Sequence, residues 1–81
     1  MSRYFFHLRR DDETVPDIEG DDFRDDGAAR ASAINSVREL AAAQIKSGEA
    51  VTDAFMDVVD EGGNVLFSIS FHDVVQNHLR K

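Results

Sequence analysis

Apolar and polar positions alternate cleanly from Arg3 to Arg9: Tyr4, Phe6 and Leu8 fall on one side, Arg3, Phe5, His7 and Arg9 on the other. A period of two with aromatic enrichment predicts a β-strand. Arg10-Asp11-Asp12-Glu13 reads as a polar turn. Thr14-Val15 follows as a short return strand, stopped by Pro16, whose missing N–H suits a sheet edge. From Asp17 to Arg24 no period holds, which predicts irregular chain turning at Gly20 and anchored by Ile18 and Phe23.

The period then lengthens. Asp25 or Asp26 is a natural N-cap, because a carboxylate there satisfies free backbone N–H groups and complements the helix dipole. A helix is predicted over about 26–47, with Gly48 at the left-handed position beyond its end. At 100° per residue, Ala29, Ala33, Ile34, Val37, Leu40, Ala41 and Ile45 share one broad arc. The alanines let this helix sit close to a sheet. Phe55 to Asp60 and Val65 to Phe71 flank Glu61-Gly62-Gly63-Asn64, the pattern of a β-hairpin. Ser70-Phe71-His72-Asp73 has capping-box spacing with Asp in place of Glu. Phe71, Val74, Val75, His78 and Leu79 then repeat at helical intervals, and Arg80-Lys81 suit a C-terminal helix end.

These elements predict an α+β fold: a three- to four-stranded antiparallel sheet, the long helix on one face and a short C-terminal helix. One helix cannot cover both faces. If Tyr4, Phe6, Leu8, Met56, Val58, Val65, Phe67 and Ile69 meet it, the other face carries Phe5, Phe55, Val59 and Leu66, interspersed with Arg3, His7, Arg9, Asp57 and Ser68. A mixed face with several large apolar groups is usually covered, here by the C-terminal helix or by a second copy.

The chain is 81 residues long, enough for a single domain spanning 1–81. It has no Cys, which excludes disulfides, thiolate metal sites and cysteine nucleophiles. With no signal-peptide pattern and no apolar run long enough to span a membrane, the expectation is a cytoplasmic protein. The charge is segregated. Nine of the sixteen acidic residues lie between Asp11 and Asp26 beside a single base, Arg24, giving that stretch −8 of a net −7 and leaving the rest at +1. An acidic balance argues against nucleic acid, which rewards clustered Lys and Arg.

Within that stretch, Asp17, Glu19, Asp21 and Asp22 are the candidate docking residues for a basic protein, since charge of one sign speeds encounter with its opposite. As a cation loop the spacing fails: Gly20 falls fourth rather than sixth, and Ala28 stands where an EF-hand places its closing Glu. No metal site and no cofactor is expected. His72 and His78 are six apart and do not stack on one helical face, and no spacing nominates an activated Ser. No catalytic residue is assigned, and the expectation is a non-enzyme. Arg3, Phe5, His7 and Arg9 interleave aromatics with bases, as single-strand nucleic-acid binders do, but without a second basic strand.

Arg3-Tyr4-Phe5-Phe6-His7-Leu8, Asp17-Ile18-Glu19-Gly20 and Ala28-Ala29-Arg30-Ala31-Ser32-Ala33 together resemble a family of short bacterial proteins of unknown function. Its chains open on an R-Y-F-F-x-L strand and a D-x-E-G turn, continue into an alanine-rich helix and close on a hairpin. The resemblance implies a compact α+β domain and brings no catalytic residues. Pro16-Asp17-Ile18-Glu19-Gly20 before the helix opening at Ala28 is also similar to HicB-type antitoxin domains at the level of fold. The functional expectation is an interaction module that self-associates, as a homodimer, through Phe5, His7, Phe55, Val59 and Leu66. The alternative is an antitoxin-like or regulatory partner of a basic protein.

Overall fold

The computed structural model describes residues 1–51 and 53–79, and the side chains of all of these except His78 and Leu79. Seven elements follow one another: β1 (Ser2–Arg10), β2 (Glu13–Val15), β3 (Asp21–Phe23), α1 (Asp26–Lys46), β4 (Ala54–Val59), β5 (Val65–Ser70) and α2 (Phe71–Leu79). The sheet is antiparallel and five-stranded, in the order β2-β1-β4-β5 with β3 also paired to β1. The fold is α+β as expected, with one strand more than the sequence pattern suggested.

That extra strand corrects the reading of Asp17 to Arg24. β3 pairs with the first half of β1, Ser2 opposite Phe23 and Tyr4 opposite Asp21, while β2 pairs with the second half, Leu8 opposite Val15. Between them the chain leaves the ladder as a turn. Phe23 is an anchor, stacked on Phe6 at 5.6 Å and tilted against Tyr4 at 5.9 Å. Ile18 is not: it is 85% exposed.

Asp25 caps α1, its carboxylate accepting from the Ala28 N–H at 2.8 Å. At the other end Ser47 closes the helix and Gly48 takes a positive φ of 82°, its N–H donating to the Ile45 carbonyl. The buried stripe is narrower than the sequence arc. Ala29, Ala33, Val37 and Ala41 face the sheet, an i, i+4 ridge of small side chains. Leu40 and Ile45, expected in the buried arc, are exposed. Small residues bring the helix axis close to the strands, and the flanks of such a helix clear the sheet at its margins.

The hairpin joining β4 and β5 is closed by Asp60, whose Oδ1 accepts from Gly62 and Asn64 N–H groups. Hydrogen bonds from Asn64 hold that carboxyl below the usual carboxylate range. Phe71 does not end β5 but opens α2, where Ser70 Oγ accepts from the Asp73 N–H at 3.2 Å. It is among the largest fully buried side chains, with Val37 and Val58, and burial of such groups contributes about 1.5–3 kcal/mol each. Arg80 and Lys81, expected at the end of α2, lie outside the described residues, as do the side chains of His78 and Leu79.

Both helices sit on the same side of the sheet. α2 packs against α1, and its Phe71, Val74 and Val75 join the core formed by the α1 ridge with Tyr4, Met56, Val58 and Ile69. The molecule measures 37 × 30 × 17 Å, the depth of two layers. The far face of the sheet has no helix over it among the described residues.

Candidate functional site

Two places collect the residues singled out from the sequence: the outer face of the sheet and the acidic turn at its edge. On the outer face, β1 and β4 pair so that Phe5 lies opposite Val59, His7 opposite Asp57 and Arg9 opposite Phe55. Asp57 in turn lies opposite Ser68 on β5. Alternation alone therefore gathers Phe5, His7, Phe55 and Val59 in one patch. Leu66 is not part of it. The register slips between Val58 and Val59, so that Val58 faces Phe67 and Val59 faces Val65. The bulge turns Leu66 onto the core and leaves Val65 paired to Val59 and 59% exposed.

The centre of the patch is polar and well satisfied. Arg9 Nε and Nη2 grip the two Asp57 carboxylate oxygens at 2.9 and 3.2 Å, and Ser68 Oγ donates to Oδ1 at 2.7 Å. The Asp57 side chain is only 12% exposed, its partner's 41%. The Arg9 guanidinium holds the Asp57 carboxyl below the ordinary carboxylate range; burial alone pushes the other way, and the Ser68 hydroxyl assists Arg9. The same guanidinium lies 4.6 Å above the Phe55 ring, a cation–π contact. Phe5 stacks on His7 at 6.4 Å. Phe5 and Phe55 remain half-buried, and Val59 is buried.

The sequence placed Arg9 and Asp57 on one face but did not pair them. The partner of Arg9 is 48 positions away, on β4. The usable signal was register: Arg9 is diagonal to Asp57, two residues along β1 from the His7 that faces it.

At the edge, Asp17 is structural. Phe6, between the two paired halves of β1, donates its N–H to Asp17 Oδ2 at 3.1 Å, and Gly20 donates to Oδ1 at 3.1 Å. The Asp17 N–H reaches His7 Nδ1 at 3.0 Å, so that nitrogen is the acceptor and the imidazole proton sits on Nε2. Gly20 has φ +70°, and a Cβ there would stand 2.8 Å from both the Phe5 ring and the Tyr4 carbonyl. The turn is thus pinned at both ends.

Asp22 is also engaged, paired to Arg3 at 3.2 Å, while Arg3 Nη1 donates to the Glu19 carbonyl. Asp26 accepts from the Tyr4 hydroxyl at 2.6 Å, which pushes the phenol up to about 12. Of the four candidate docking residues, Glu19 and Asp21 remain. Their carboxylates have no hydrogen bond or ion pair among the described residues, and exposed Ile18 lies beside them. Among those residues no group of three or more His, Asp or Glu is arranged to hold a metal ion. No helix among them is long and apolar enough to cross a membrane.

These features define a small two-layer α+β domain with an open sheet face and a pinned acidic edge. The chain belongs to the family described as a domain of unknown function, DUF6894, whose model matches residues 3–72. No curated protein and no solved structure matches it, so the likeness to HicB-type antitoxins finds no support there.

Proposed function

We propose that this protein is a non-catalytic interaction module of the bacterial cytoplasm that pairs with a second copy of itself across the outer sheet face. The observation that carries the reading is the placement of α2 beside α1. It leaves Phe5 and Phe55 half-buried with no layer above them among the described residues. A two-fold partner completes their burial and finds the Arg9–Asp57–Ser68 cluster already satisfied, so little polar desolvation goes uncompensated. Four strands about 4.8 Å apart and about 20 Å long offer roughly 400 Å² of projected area, small for a stable interface, so the dimer is a micromolar one. Light scattering over a micromolar concentration series tests this. A mass rising to twice the chain, lost in Phe55→Lys, supports it; a monomer throughout overturns it.

A second reading uses the acidic turn. Exposed Ile18 beside unpaired Glu19 and Asp21 suits a basic regulatory partner, as an antitoxin-like protein has. Binding to such a partner should fall with salt and in Glu19→Gln/Asp21→Asn; binding indifferent to both rejects it.

A further inference from the structure

Among the described residues the sheet has one free edge without charge or proline, β5. β5 pairs with β4 on one side and with no strand on the other among the described residues. Its sequence, Val-Leu-Phe-Ser-Ile-Ser, carries no charge and no proline, the usual guards of an edge strand. The bulge disturbs only its first residues, so Phe67–Ser70 remain a regular stretch with half their backbone groups facing outward.

Along this edge runs a groove of about 760 Å³ between α1 and α2. Its α1 wall is formed by Arg30, Ile34 and Arg38, its floor includes Phe67, and Val74 and Asp73 lie on the α2 side. Arg30 extends over the Phe67 ring at 5.7 Å, and Arg38 Nη1 donates to Asn35 Oδ1 at 3.0 Å. Neither arginine forms an ion pair among the described residues. In a chain of net charge −7 with acids to spare, two unpaired guanidinium groups on one groove wall are out of keeping with the rest of the surface. Asp73 is the one carboxylate in the lining, so the groove is net positive.

We infer that this groove binds an extended acidic peptide as an additional strand on β5. The mode is strand addition, in which backbone hydrogen bonds give affinity and alternate side chains give specificity. The helix sets the specificity. Arg30, Ile34 and Arg38 follow one another at i, i+4 and i+8, about 6 Å apart along the axis. Residues i and i+2 of a strand, which share a face, are about 6.7 Å apart. A strand laid beside β5 therefore presents its same-face side chains in step with the helix ridge. The matching pattern is acid-x-apolar-x-acid: a carboxylate to Arg30, an aliphatic group to Ile34 and Phe67, a second carboxylate to Arg38. Each guanidinium offers a bidentate fork for a carboxylate.

The chain's own Glu13-Thr14-Val15-Pro16-Asp17 has that alternation, but Pro16 lacks the N–H and the Asp17 carboxylate is already held by Phe6 and Gly20. A partner protein's segment is the better occupant. A polyanionic nucleic acid offers carboxylate-like charge but no ladder, and meets the repulsion of the remaining surface. This inference does not rest on self-association, which uses the other face of the sheet.

The test uses the full chain and a fluorescent acetylated, amidated peptide, Thr-Glu-Thr-Val-Thr-Glu-Thr, read by anisotropy. Binding in the micromolar range is expected, at least tenfold weaker for the Gln-for-Glu peptide and for Arg30→Glu/Arg38→Glu. A Lys-for-Glu peptide should bind that variant, which separates charge matching from misfolding. Backbone N-methylation at alternate peptide residues should abolish binding, and amide shifts on peptide titration should centre on Phe67–Ser70. Equal affinity for the Glu, Gln and Lys peptides overturns the inference. So does indifference to N-methylation, displacement by a single-stranded oligonucleotide at lower concentration than the peptide, or a groove occupied by a second copy whose dissociation Arg30→Glu/Arg38→Glu causes.

Discussion

Tyr4 is the only tyrosine in the chain, and there is no tryptophan, so the near-ultraviolet absorbance of tyrosinate reports this one side chain. It is 4% exposed and donates its hydroxyl to Asp26 Oδ1 at 2.6 Å in the first turn of α1. Ionising it removes the donor and leaves two negative groups in contact, with Asp25 and Asp60 adding to the repulsion. The phenol is therefore raised from 10.0 to about 12, a shift that disfavours tyrosinate about 100-fold. The direction of linkage follows. Because the folded value lies above the unfolded one, the stabilisation is fully present below pH 10 and is lost as pH climbs toward 12. Replacing Asp26 with Asn keeps an acceptor oxygen and deletes the charge, so the titration should move down toward 10 while far-ultraviolet ellipticity confirms that the helices persist. Should the chain unfold before Tyr4 ionises, absorbance and ellipticity change together above pH 10, and Asp26→Asn brings the joint transition down. A native protein whose tyrosine titrates at its ordinary value, or a variant that leaves the midpoint unmoved, refutes the contact as the source of the shift.

Two further outcomes concern stability. Gly20→Ala forces a Cβ against the Tyr4 carbonyl and the Phe5 ring at a positive φ and should lower unfolding free energy in urea by about 2–3 kcal/mol, whereas Gly48→Ala, with open space around it, should cost only about 1 kcal/mol; equal losses would reject the close approach. Arg9→Met keeps apolar contact with Phe55 but deprives Asp57 of its partner, and should lower the urea midpoint at neutral pH. Since the Asp57 carboxyl is depressed below 3.8, its contribution is present above that value and disappears as pH falls through the folded one. The gap between wild type and variant should close in acid, and a gap independent of pH would be inconsistent with an ion pair.

The parts of the fold that were legible in the sequence are those fixed by neighbours. β1 announces itself by alternation, α1 by Asp25 and Gly48, the β4–β5 hairpin by Glu61 to Asn64, and α2 by Ser70 and Asp73. What escaped depends on distant chain. β3 is three residues of Asp, Asp and Phe, with no periodicity of its own; it is a strand because β1 supplies the ladder. Leu66 escaped because a bulge reverses the phase of alternation, and nothing in Asn64-Val65-Leu66 marks it. Leu40 and Ile45 were assigned to the core by hydrophobicity, but the alanine ridge decides which stripe meets the sheet. At the candidate site the four outer-face residues were placed correctly by period. Of the four acidic residues offered for docking, Asp17 and Asp22 each hold a specific partner, leaving Glu19 and Asp21 unengaged.

The pinned turn between β2 and β3 has a bearing on how the sheet can grow. It breaks the outer margin of β1 into two runs of three residues, one closed by Pro16 and the other studded with carboxylates. Neither run is long enough, or neutral enough, to template another chain. β5 offers the opposite margin regular from Phe67 to Ser70. The sheet is therefore directional, able to accept a visitor at one end and unable to pass the addition on at the other. A molecule built this way can take up a strand without seeding a fibre.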